Sequence, residues 1–393
     1  MLSGILWLRN AKVSSTMTTF ANFNLLPTLQ ETLIEKELTR PTEIQERAIP
    51  VLLSGRSVVG VAETGSGKTL SFALPILHAL KTLENEGHPI TVYGEPRAIV
   101  MVPTRELGEQ VAKAFKPFTH TTRLRVRAVL GGTTMEVAKR SVQGAFEVLV
   151  ATPGRLIKML EAGLVTLGDV RILVLDEADQ MLDHGFLPDV QRIIKKCPAD
   201  RQLALFSATI SPAVQQLIES LFAGAELIRS EGSHRVVSTL TTTRQTVHDG
   251  KRFPLLERLL GKRVAGGTIL FVNTREQCDK LAEELEEAGL PCVIYRGEMD
   301  KVERRRNLKA FRDGEIDLLV STDLASRGLD VEHIGRVINY HMPQQMENYL
   351  HRVGRTARAG RPGEVVNFVT ERDEAFVSKL QLVQPVFPKK AKR

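Results

Sequence analysis

The hydrophobic positions of this chain fall into short runs in which successive residues, instead of alternate ones, are apolar. In the first half these runs are rich in Val, Ile and Leu and lie far enough apart to leave room for helices. They are Ser57–Val61, Arg97–Val102, Glu147–Val150, Arg171–Leu175 and Gln202–Phe206. Such runs indicate strands that are buried on both faces, as in a parallel sheet. The pattern therefore predicts an α/β fold.

The same pattern begins again in the second half. Its apolar runs are Thr268–Val272, Pro291–Tyr295, Asp317–Val320, Arg336–Asn339 and Glu364–Phe368. A helical pattern over Arg275–Ala288 separates the first two runs, and Gly289 stands where a helix would end. We expect two tandem domains, each a mostly parallel sheet with helices on both faces, because right-handed strand–helix–strand connections cover a sheet in this way.

A polar stretch separates the two sets of runs. Residues 229–245 are rich in Ser, Thr, Gly and Arg and show no apolar periodicity, which predicts a linker or crossing between domains. Domain 1 is then expected at 18–228, including a leading segment at 18–46, and domain 2 at 246–385.

The ends of the chain give no pattern of a folded element. Residues 1–17 are interpreted as a flexible leader, or as translation that begins upstream of Met17, because their short apolar patch precedes its basic residues and no cleavage pattern follows. Residues 386–393 end in KKAKR and are expected to form a basic tail.

Composition changes this picture little. The 393 residues suit two domains, and the 42% hydrophobic and 25% charged content is that of an ordinary globular protein. The formal net charge is +7, and four of these charges lie in the tail. A basic balance is compatible with a polyanionic partner such as nucleic acid but does not by itself imply one.

The cysteines and the hydropathy exclude several classes. Cys197, Cys278 and Cys292 have neither the spacing of a zinc site nor the pattern of a disulfide framework, so a reducing, cytoplasmic location is expected. No apolar run approaches the ~20 residues that a membrane-spanning helix requires, and no membrane partner is expected.

A glycine-rich sequence, AETGSGKTL at 62–70, follows the first predicted strand. Gly65 and Gly67 let backbone N–H groups close around phosphate, Lys68 reaches the terminal phosphates, and Thr69 supplies a hydroxyl for Mg²⁺. The spacing is that of a nucleotide-binding P-loop, with Ala62 where the general pattern has its first Gly. The alternative is a chance glycine-rich turn, which the strand before and the helix after disfavour.

An acidic sequence, DEAD at 176–179, directly follows another buried run. Asp176 is placed to hold Mg²⁺, through water, and Glu177 to take a proton from an attacking water molecule. An acidic first turn that complements the dipole of a helix is the alternative. The presence of a P-loop in the same domain favours the catalytic interpretation.

With these two motifs the chain resembles the DEAD-box family of ATP-dependent RNA helicases, in superfamily two. The resemblance covers roughly Phe20 to Val369 and has the extent of a minimal, bacterial-type core. Its other motifs stand in the family's order: PTREL (103–107), Gly131–Gly132, TPGR (152–155), SAT (207–209), ILFVNT (269–274), STDLASRGLD (321–330) and HRVGRTAR (351–358). The resemblance implies two RecA-like domains that bind ATP and Mg²⁺.

The resemblance implies an ATP site shared by both domains. Phe20 and Gln45 would contact adenine, and Asp330 would meet the ribose. Arg355 and Arg358 are three residues apart, which places them on one side of a helix, and would act as arginine fingers. The implied ATP-binding residues are Phe20, Gln45, Ala62, Glu63, Thr64, Gly65, Ser66, Gly67, Lys68, Thr69, Gly328 and Asp330.

The resemblance also implies one set of residues for catalysis and another for coupling between the domains. The residues implied in catalysis are Lys68, Asp176, Glu177, Arg355 and Arg358, with Thr69 and Asp176 as the groups that hold Mg²⁺. Those implied in coupling between the domains are Asp179, Ser207, Thr209 and His351. We expect His351 to approach Asp179 and the SAT motif when the domains close.

RNA is implied to lie across the carboxyl ends of the strands, where open α/β sheets bind ligands. The implied RNA-binding residues are Pro103, Thr104, Arg105, Gly131, Gly132, Thr152, Pro153, Gly154, Arg155, Thr274, Gly297 and Thr322. Almost none of these groups can read a base edge, so binding through the RNA backbone is expected, with 2′-hydroxyl contacts favouring RNA over DNA.

The sequence departs from the family pattern in the second domain. Ala357 replaces a common Gly, and we expect a small residue to be tolerated there in a helix. Arg296 stands where the family often has His, and Lys301 where it often has Gln. The last two departures bear on the RNA contact of this domain.

The function implied is RNA-stimulated ATP hydrolysis, coupled to domain closure and to local separation of short RNA duplexes. An ATP-dependent RNA clamp or scaffold with little unwinding is an alternative, and a DNA translocase is another, which Phe20, Gln45 and the DEAD sequence disfavour. RNA, single-stranded and in short duplexes, is the expected partner. Ribosome assembly and RNA decay both stay open as pathways, and a monomer is expected because two domains form a complete site.

Overall fold

The computed structural model describes residues 18–63, 65–230, 240–323, 331, 334–357 and 361–383. The predicted leader and basic tail lie outside the described residues. Four of the predicted site residues also lie outside them, namely Thr64, Gly328, Asp330 and Arg358.

The first domain contains a seven-stranded sheet in which every pairing is parallel. Its order is β3-β4-β2-β5-β6-β1-β7. The strands are β1 Val58–Val61, β2 Ala98–Met101, β3 Val126–Val129, β4 Val148–Ala151, β5 Ile172–Leu175, β6 Gln202–Ser207 and β7 Glu226–Arg229. The parallel α/β sheet predicted for this half is confirmed.

Helices cover both faces of this sheet. They are α1 Pro27–Glu35, α2 Glu43–Leu53, α3 Lys68–Asn85, α4 Arg105–Thr122, α5 Met135–Ser141, α6 Pro153–Glu161, α7 Ala178–Asp183, α8 Leu187–Lys196 and α9 Pro212–Leu221. Successive strand residues enter different cores: Val100 and Val174 lie in one, Ile99 and Leu173 in the other. Burial of both faces explains why these strands are apolar at every position.

The second domain contains a six-stranded sheet, also parallel throughout, in the order β10-β11-β9-β12-β13-β8. Its strands are β8 Leu240–Thr246, β9 Gly267–Val272, β10 Val293–Tyr295, β11 Leu318–Thr322, β12 Ile334–Asn339 and β13 Gly363–Val369. Its described helices are α10 Phe253–Leu260, α11 Arg275–Glu287, α12 Lys301–Arg312, α13 Met346–Val353 and α14 Glu374–Val383. Again one core contains Leu270 and Val320, and the other Ile269 and Leu319.

The helix predicted over Arg275–Ala288 is confirmed by α11. Thr274 caps its first turn, because its hydroxyl accepts from the N–H of Gln277 at 3.2 Å while the Gln277 side chain accepts from the N–H of Thr274 at 3.1 Å. Gly289 follows the last turn with φ +70°, the left-handed conformation that Gly adopts without steric cost.

The predicted linker or crossing, residues 229–245, contains strand residues at its carboxyl end. Residues 240–246 form β8, which pairs along its whole length with β13 at the edge of the second sheet. The polar sequence LTTTRQT suits an edge strand, because one face of such a strand meets solvent. At the other end Arg229 closes β7. Residues 231–239 lie outside the described residues.

Among the described residues, no helix combines the length and the apolar character that crossing a membrane requires. The three cysteines are free thiols, and burial raises the pKa of Cys197 to about 11 and that of Cys278 to about 12.

Candidate nucleotide and nucleic-acid site

The strand order divides the candidate residues of the first domain into two groups along one edge of the sheet. The carboxyl ends of β1, β5 and β6, which are neighbours, lead into the glycine-rich loop, the DEAD sequence and the SAT sequence. The ends of β2, β3 and β4, also neighbours, lead into PTREL, Gly131–Gly132 and TPGR. Residues assigned to ATP and residues assigned to RNA thus lie side by side at the edge where α/β sheets bind ligands.

The glycine-rich loop has the geometry of a phosphate cradle. Gly65 and Gly67 have φ values of +88° and +89°, and α3 begins at the next residue, Lys68. The Lys68 ammonium group is 6% exposed and donates to the carbonyl of Ala62 at 2.8 Å, so the side chain lies over the loop. Backbone N–H groups at a helix N-terminus favour an anion at this position.

The remaining loop residues complete the turn. Both the N–H and the hydroxyl of Ser66 donate to the carbonyl of Glu63, at 3.2 and 2.7 Å. Burial raises the pKa of Glu63, and the charge of Lys68 opposes this shift. Thr69 lies in the first turn of α3, next to Lys68. The first two residues of α3 therefore carry one ammonium group and one hydroxyl.

Gln45 of α2 lies directly against this loop. Its amide nitrogen donates to the carbonyl of Gly67 at 2.9 Å, and its amide oxygen accepts from the N–H of Thr42 at 2.9 Å. A Cβ at Gly67 would lie 2.5 Å from the Gln45 nitrogen, so only glycine fits there. Each polar atom of the amide has one further hydrogen-bonding position, as contact with a base edge requires.

Phe20 lies in a different environment from Gln45. Its ring is 2% exposed, belongs to the core beneath α1 and α2, and packs edge-on against Phe23 with 5.8 Å between ring centroids. The structure thus places Phe20 in the hydrophobic core, and stacking of its ring on adenine stays a prediction.

The DEAD sequence forms a buried acidic centre at the end of β5. Asp176 and Glu177 are 2% and 3% exposed. Burial raises the pKa of Asp176 to about 7, the charge of Lys68 opposes this shift, and Glu177 adds to it. Such a carboxylate gains from a nearby cation, since burial disfavours its charged form.

Glu177 has an unusual backbone. Its φ is +52°, and it occupies the position that precedes the first turn of α7. Its carboxylate accepts a hydrogen bond from the side-chain amide of Gln180, which is itself buried. Positive φ in a non-glycine residue stores strain of the kind found at functional sites. Here the strained residue stands between β5 and the first turn of α7.

Asp179 joins the DEAD sequence to the SAT sequence. One of its carboxylate oxygens accepts from the N–H groups of Ala208 and Thr209, at 3.1 and 3.0 Å, and from the Thr209 hydroxyl at 3.0 Å. Its own N–H donates to the Ser207 hydroxyl at 3.2 Å. Four hydrogen bonds between two neighbouring strand ends make this a rigid unit.

The second domain reaches this unit. The Nε2 atom of His351, in α13, lies 3.8 Å from the same Asp179 oxygen, and both side chains are almost fully buried. The structure therefore brings together the four residues assigned to coupling between the domains.

The expectation that Arg355 and Arg358 lie on one side of a helix is wrong for Arg355. Helix α13 ends at Val353, and Arg355 follows it in a turn, 2% exposed, with its Nε donating to the carbonyl of His351 at 3.2 Å. Ala357 has φ +56°, so the expectation that it would be helical is also wrong. Glycine adopts this left-handed conformation without steric cost.

The RNA candidates of the first domain lie at helix starts. Thr104 caps α4 and accepts from the N–H of Leu107 at 3.3 Å, while Thr152 precedes α6 and accepts from the N–H of Gly131 at 2.9 Å. Arg105 is held by Glu109 at 2.8 Å, and Arg155 donates to the carbonyl of Thr133. Of the remaining candidates, Pro103 and Gly132 lie in the loops after β2 and β3, and Pro153 and Gly154 begin α6.

Three RNA candidates of the second domain follow neighbouring strands in the same way. Thr274 follows β9 and caps α11, Gly297 follows β10, and Thr322 ends β11. A Cβ at Gly297 would meet no atom within 4 Å, so the backbone there is open to close approach. The order β10-β11-β9 places the three side by side at the carboxyl edge.

Sequence reasoning missed Arg352, which ties these loops together. It is 1% exposed, forms an ion pair with Asp323, and donates to the side chain of Asn273 at 2.9 Å and to the carbonyl of His341 at 2.6 Å. Asp323 follows Thr322, and Asn273 precedes Thr274. Arg352 lies within HRVGRTAR, but the sequence alone does not distinguish a buried arginine from an exposed one.

Sequence reasoning also missed a second contact between the domains. Arg304 of α12 lies 3.6 Å from Glu106, in the first turn of α4, and its guanidinium packs over the ring of Tyr295 at 4.6 Å from the centroid. Glu106 lies within PTREL, directly after Arg105.

Two family models match the chain. Residues 42–217 match the DEAD/DEAH box helicase model, and residues 251–360 match the helicase conserved C-terminal domain model. Together they cover both sheets apart from the edge strands β7 and β8 and the strand β13, which lies next to β8.

Curated relatives extend the similarity over most of the chain. The ATP-dependent RNA helicase CshA of Listeria monocytogenes is 35% identical over 361 residues, which cover 92% of this chain and 68% of the relative. The ATP-dependent RNA helicase DeaD of Mycobacterium tuberculosis is 37% identical over 361 residues, 92% of this chain and 62% of the relative. The probable ATP-dependent RNA helicase DDX46 of Homo sapiens is 40% identical over 87% of this chain but only 33% of the relative.

Solved structures give the same picture. Dbp5 of S. cerevisiae, bound to RNA and ADP BeF3, has a TM-score of 0.82 at 28% identity, with 94% of each chain covered. A DEAD box protein from the hyperthermophile Methanococcus jannaschii has a TM-score of 0.53 at 30% identity, with 95% of this chain and 99% of that chain covered.

Proposed function

The chain belongs to the DEAD-box family of ATP-dependent RNA helicases, and we propose that it uses ATP binding and hydrolysis to close its two domains on RNA and separate short duplexes locally. Binding is largely independent of sequence. The described RNA candidates are mainly backbone amides, small residues and hydroxyls, which suit phosphate and sugar better than base edges.

One observation carries this proposal. In the first domain, the charge of the P-loop Lys68 lowers the pKa of the buried Asp176. From the second domain, the Nε2 atom of His351 approaches to 3.8 Å from Asp179. A site made from both domains is complete only when they are together. Ligands that bind across it therefore stabilise the closed arrangement.

In the proposed reaction a water molecule attacks the γ-phosphoryl group of ATP and gives its proton to Glu177. The bond between the γ-phosphorus and the β,γ-bridging oxygen breaks, and ADP and phosphate are released. Lys68, which donates to the loop carbonyl of Ala62, and Arg355, which donates to the carbonyl of His351, would neutralise charge on the transferred group. Arg358, outside the described residues, is proposed as a second arginine of this kind.

The residues present fit a magnesium ion. Asp176 is a buried carboxylate with a raised pKa, which a divalent cation would stabilise in its charged form, and Thr69 supplies a hydroxyl oxygen. Both are oxygen donors of the kind Mg²⁺ prefers. We propose that they hold Mg²⁺, Asp176 through water, and the ion would supply charge neutralisation at the phosphates.

The proposal includes the oligomeric state and the cellular compartment. A monomer is sufficient because each domain supplies its part of the same site, and three free cysteines suit a reducing compartment such as the cytoplasm.

The experiment that tests this function replaces Glu177 with Gln. The variant keeps the size and hydrogen bonding of the side chain but not its basicity. We expect ATP hydrolysis to fall at least about 100-fold, since general base catalysis contributes on that order. ATP and RNA should then stay bound together. The measurements are phosphate release with and without RNA, and RNA retention by filter binding.

Lys68→Ala provides the comparison, because it removes a phosphate contact instead of the base. We expect this variant to lose ATP affinity and duplex separation together. Hydrolysis by Glu177→Gln at the normal rate, or unwinding by Lys68→Ala, would contradict the proposal. Long-lived RNA binding by the normal protein without any duplex separation would favour an RNA clamp instead.

A further inference from the structure

The turn after β10 carries charged residues on both sides of Gly297. Arg296 precedes the glycine and Glu298 follows it. The turn folds back on itself, because the N–H of Arg296 lies 3.4 Å from the sulfur of Met299 and its guanidinium 3.4 Å from the carbonyl of Gly297. Glu298 has φ +63°, a left-handed conformation that is unfavourable for a non-glycine residue.

Helix α11 holds both charged residues through ion pairs. Asp279 accepts from the Nε of Arg296 at 2.7 Å, and Arg275, one helical turn earlier, is paired with Glu298. Positions 275 and 279 lie on the same face of the helix. The two pairs have opposite polarity. In one pair the helix supplies the cation, Arg275, and in the other it supplies the anion, Asp279.

The two pairs differ in strength. The side chains of Arg296 and Asp279 are 25% and 42% exposed, and their hydrogen bond raises the pKa of Arg296. Arg275 and Glu298 are 48% and 73% exposed, so solvent weakens their attraction. The Arg296–Asp279 pair is therefore the main restraint on the turn.

We propose that these ion pairs, above all Arg296–Asp279, position the Gly297 turn for the sugar-phosphate backbone of RNA, instead of serving as phosphate contacts themselves. The inference rests on the proposed RNA-binding function of this edge. Gly297 can be approached closely because a Cβ there would have no neighbour within 4 Å, and a fixed turn loses less conformational entropy when RNA binds.

The direction in which RNA affinity changes on loss of Asp279 decides the role of Arg296. A cation that binds phosphate becomes more effective when a neighbouring anion is removed, so loss of Asp279 would then tighten RNA binding. A cation that positions a turn needs that anion, so loss of Asp279 would weaken RNA binding although the surface becomes more positive. The acidic partner thus separates two roles that removal of Arg296 alone cannot.

The experiment measures binding of a labelled oligouridylate by fluorescence anisotropy, with a non-hydrolysable ATP analogue present. We expect Asp279→Asn and Arg296→Gln each to weaken RNA binding about two- to fivefold, the range of a partly exposed ion pair. The double variant should bind no more weakly than the weaker single variant, because both changes break one interaction. Glu298→Gln should show a smaller loss.

Glu283→Gln is the matched control, because Glu283 is exposed one turn after Asp279 on α11 and has the same charge. We expect this variant to bind RNA at least as tightly as the normal protein. Thermal unfolding and the ATP KM without RNA should be the same for all variants, which shows that the fold and the nucleotide site are retained.

Tighter RNA binding by Asp279→Asn would overturn the inference, as would a fall of about 0.7 in the salt slope of Arg296→Gln, the value for one lost phosphate contact on a single strand. A normal protein without RNA-stimulated hydrolysis would overturn the proposed function and this inference with it. The two failures are distinguishable, because only the second involves the unaltered protein.

Discussion

At the scale of single residues, Ala357 is a position where the chain adopts a costly conformation. It is 4% exposed, has φ +56°, and lies two residues after Arg355 in the turn that leaves α13. An alanine in this region costs about 1–2 kcal/mol, while a glycine costs nothing there but is more flexible in the unfolded chain by about 0.4–1 kcal/mol. The strain that glycine would relieve is therefore larger than the entropy that it would add to the unfolded chain.

We expect Ala357→Gly to raise the free energy of unfolding by about 0.5–1 kcal/mol, measured by urea denaturation. Ala282→Gly, in the middle of α11, is the control and should lower it by about 1 kcal/mol, because its backbone is helical. A loss of stability at position 357 as large as that at position 282 would show that the turn does not strain the alanine.

His341, at the end of β12, makes stability depend on pH. Burial lowers its pKa from 6.5 to about 4, and the charges of Arg252 and Arg352 add to the shift while Asp373 opposes it. The folded chain thus resists protonation that the unfolded chain accepts. The stabilisation is complete above pH 6.5 and is lost as the pH falls towards 4.

We therefore expect His341→Gln to lose less stability than the normal protein between pH 7 and pH 5, measured by urea unfolding at both pH values. His248→Gln, an exposed histidine in the same domain, is the control and should leave the pH dependence unchanged. An equal loss in His341→Gln and the normal protein would contradict this assignment.

At the scale of elements, the strands that the hydrophobic pattern did not predict are all at sheet edges. β3 and β7 close the two edges of the first sheet, and β8 closes one edge of the second. Each has only one buried position, whereas the central strands β2 and β5 are buried throughout. An edge strand has fewer neighbours and meets solvent, so its composition resembles that of a loop.

At the scale of the whole molecule, one contact joins the described parts of the domains at the nucleotide candidates and another joins them at the RNA candidates. His351 meets Asp179 on the nucleotide side, and Arg304 meets Glu106 beside the RNA candidate Arg105. If ATP and RNA both favour closure, each must tighten binding of the other by the same factor. We expect the Glu106–Arg304 pair to contribute to that coupling, because it joins the two domains.

We expect Glu106→Gln to lower this coupling factor about two- to threefold, a fraction of a kcal/mol for a partly exposed pair. Affinities are measured for RNA with and without a non-hydrolysable ATP analogue, and for the analogue with and without RNA. Glu136→Gln, which removes an acid from the first turn of α5, controls for the helix dipole. An unchanged factor in Glu106→Gln would exclude this pair from the coupling.

The sequence by itself determined the α/β class, ten of the thirteen described strands, and the chemistry at the strand ends. These follow from neighbouring residues: a strand, a glycine-rich loop and Lys68 at the start of a helix form a phosphate cradle wherever the chain places them. Asp176 and Glu177 are likewise predictable, because they directly follow a buried strand.

The tertiary structure decided which of these groups meet and what each is free to do. It placed Phe20 in the core, ended α13 before Arg355, and paired Arg296 with Asp279, 17 residues away. It also joined Arg352 to Asn273 across 79 residues. Such contacts depend on the order of strands in a sheet and on packing between distant segments, which no local pattern of residues encodes.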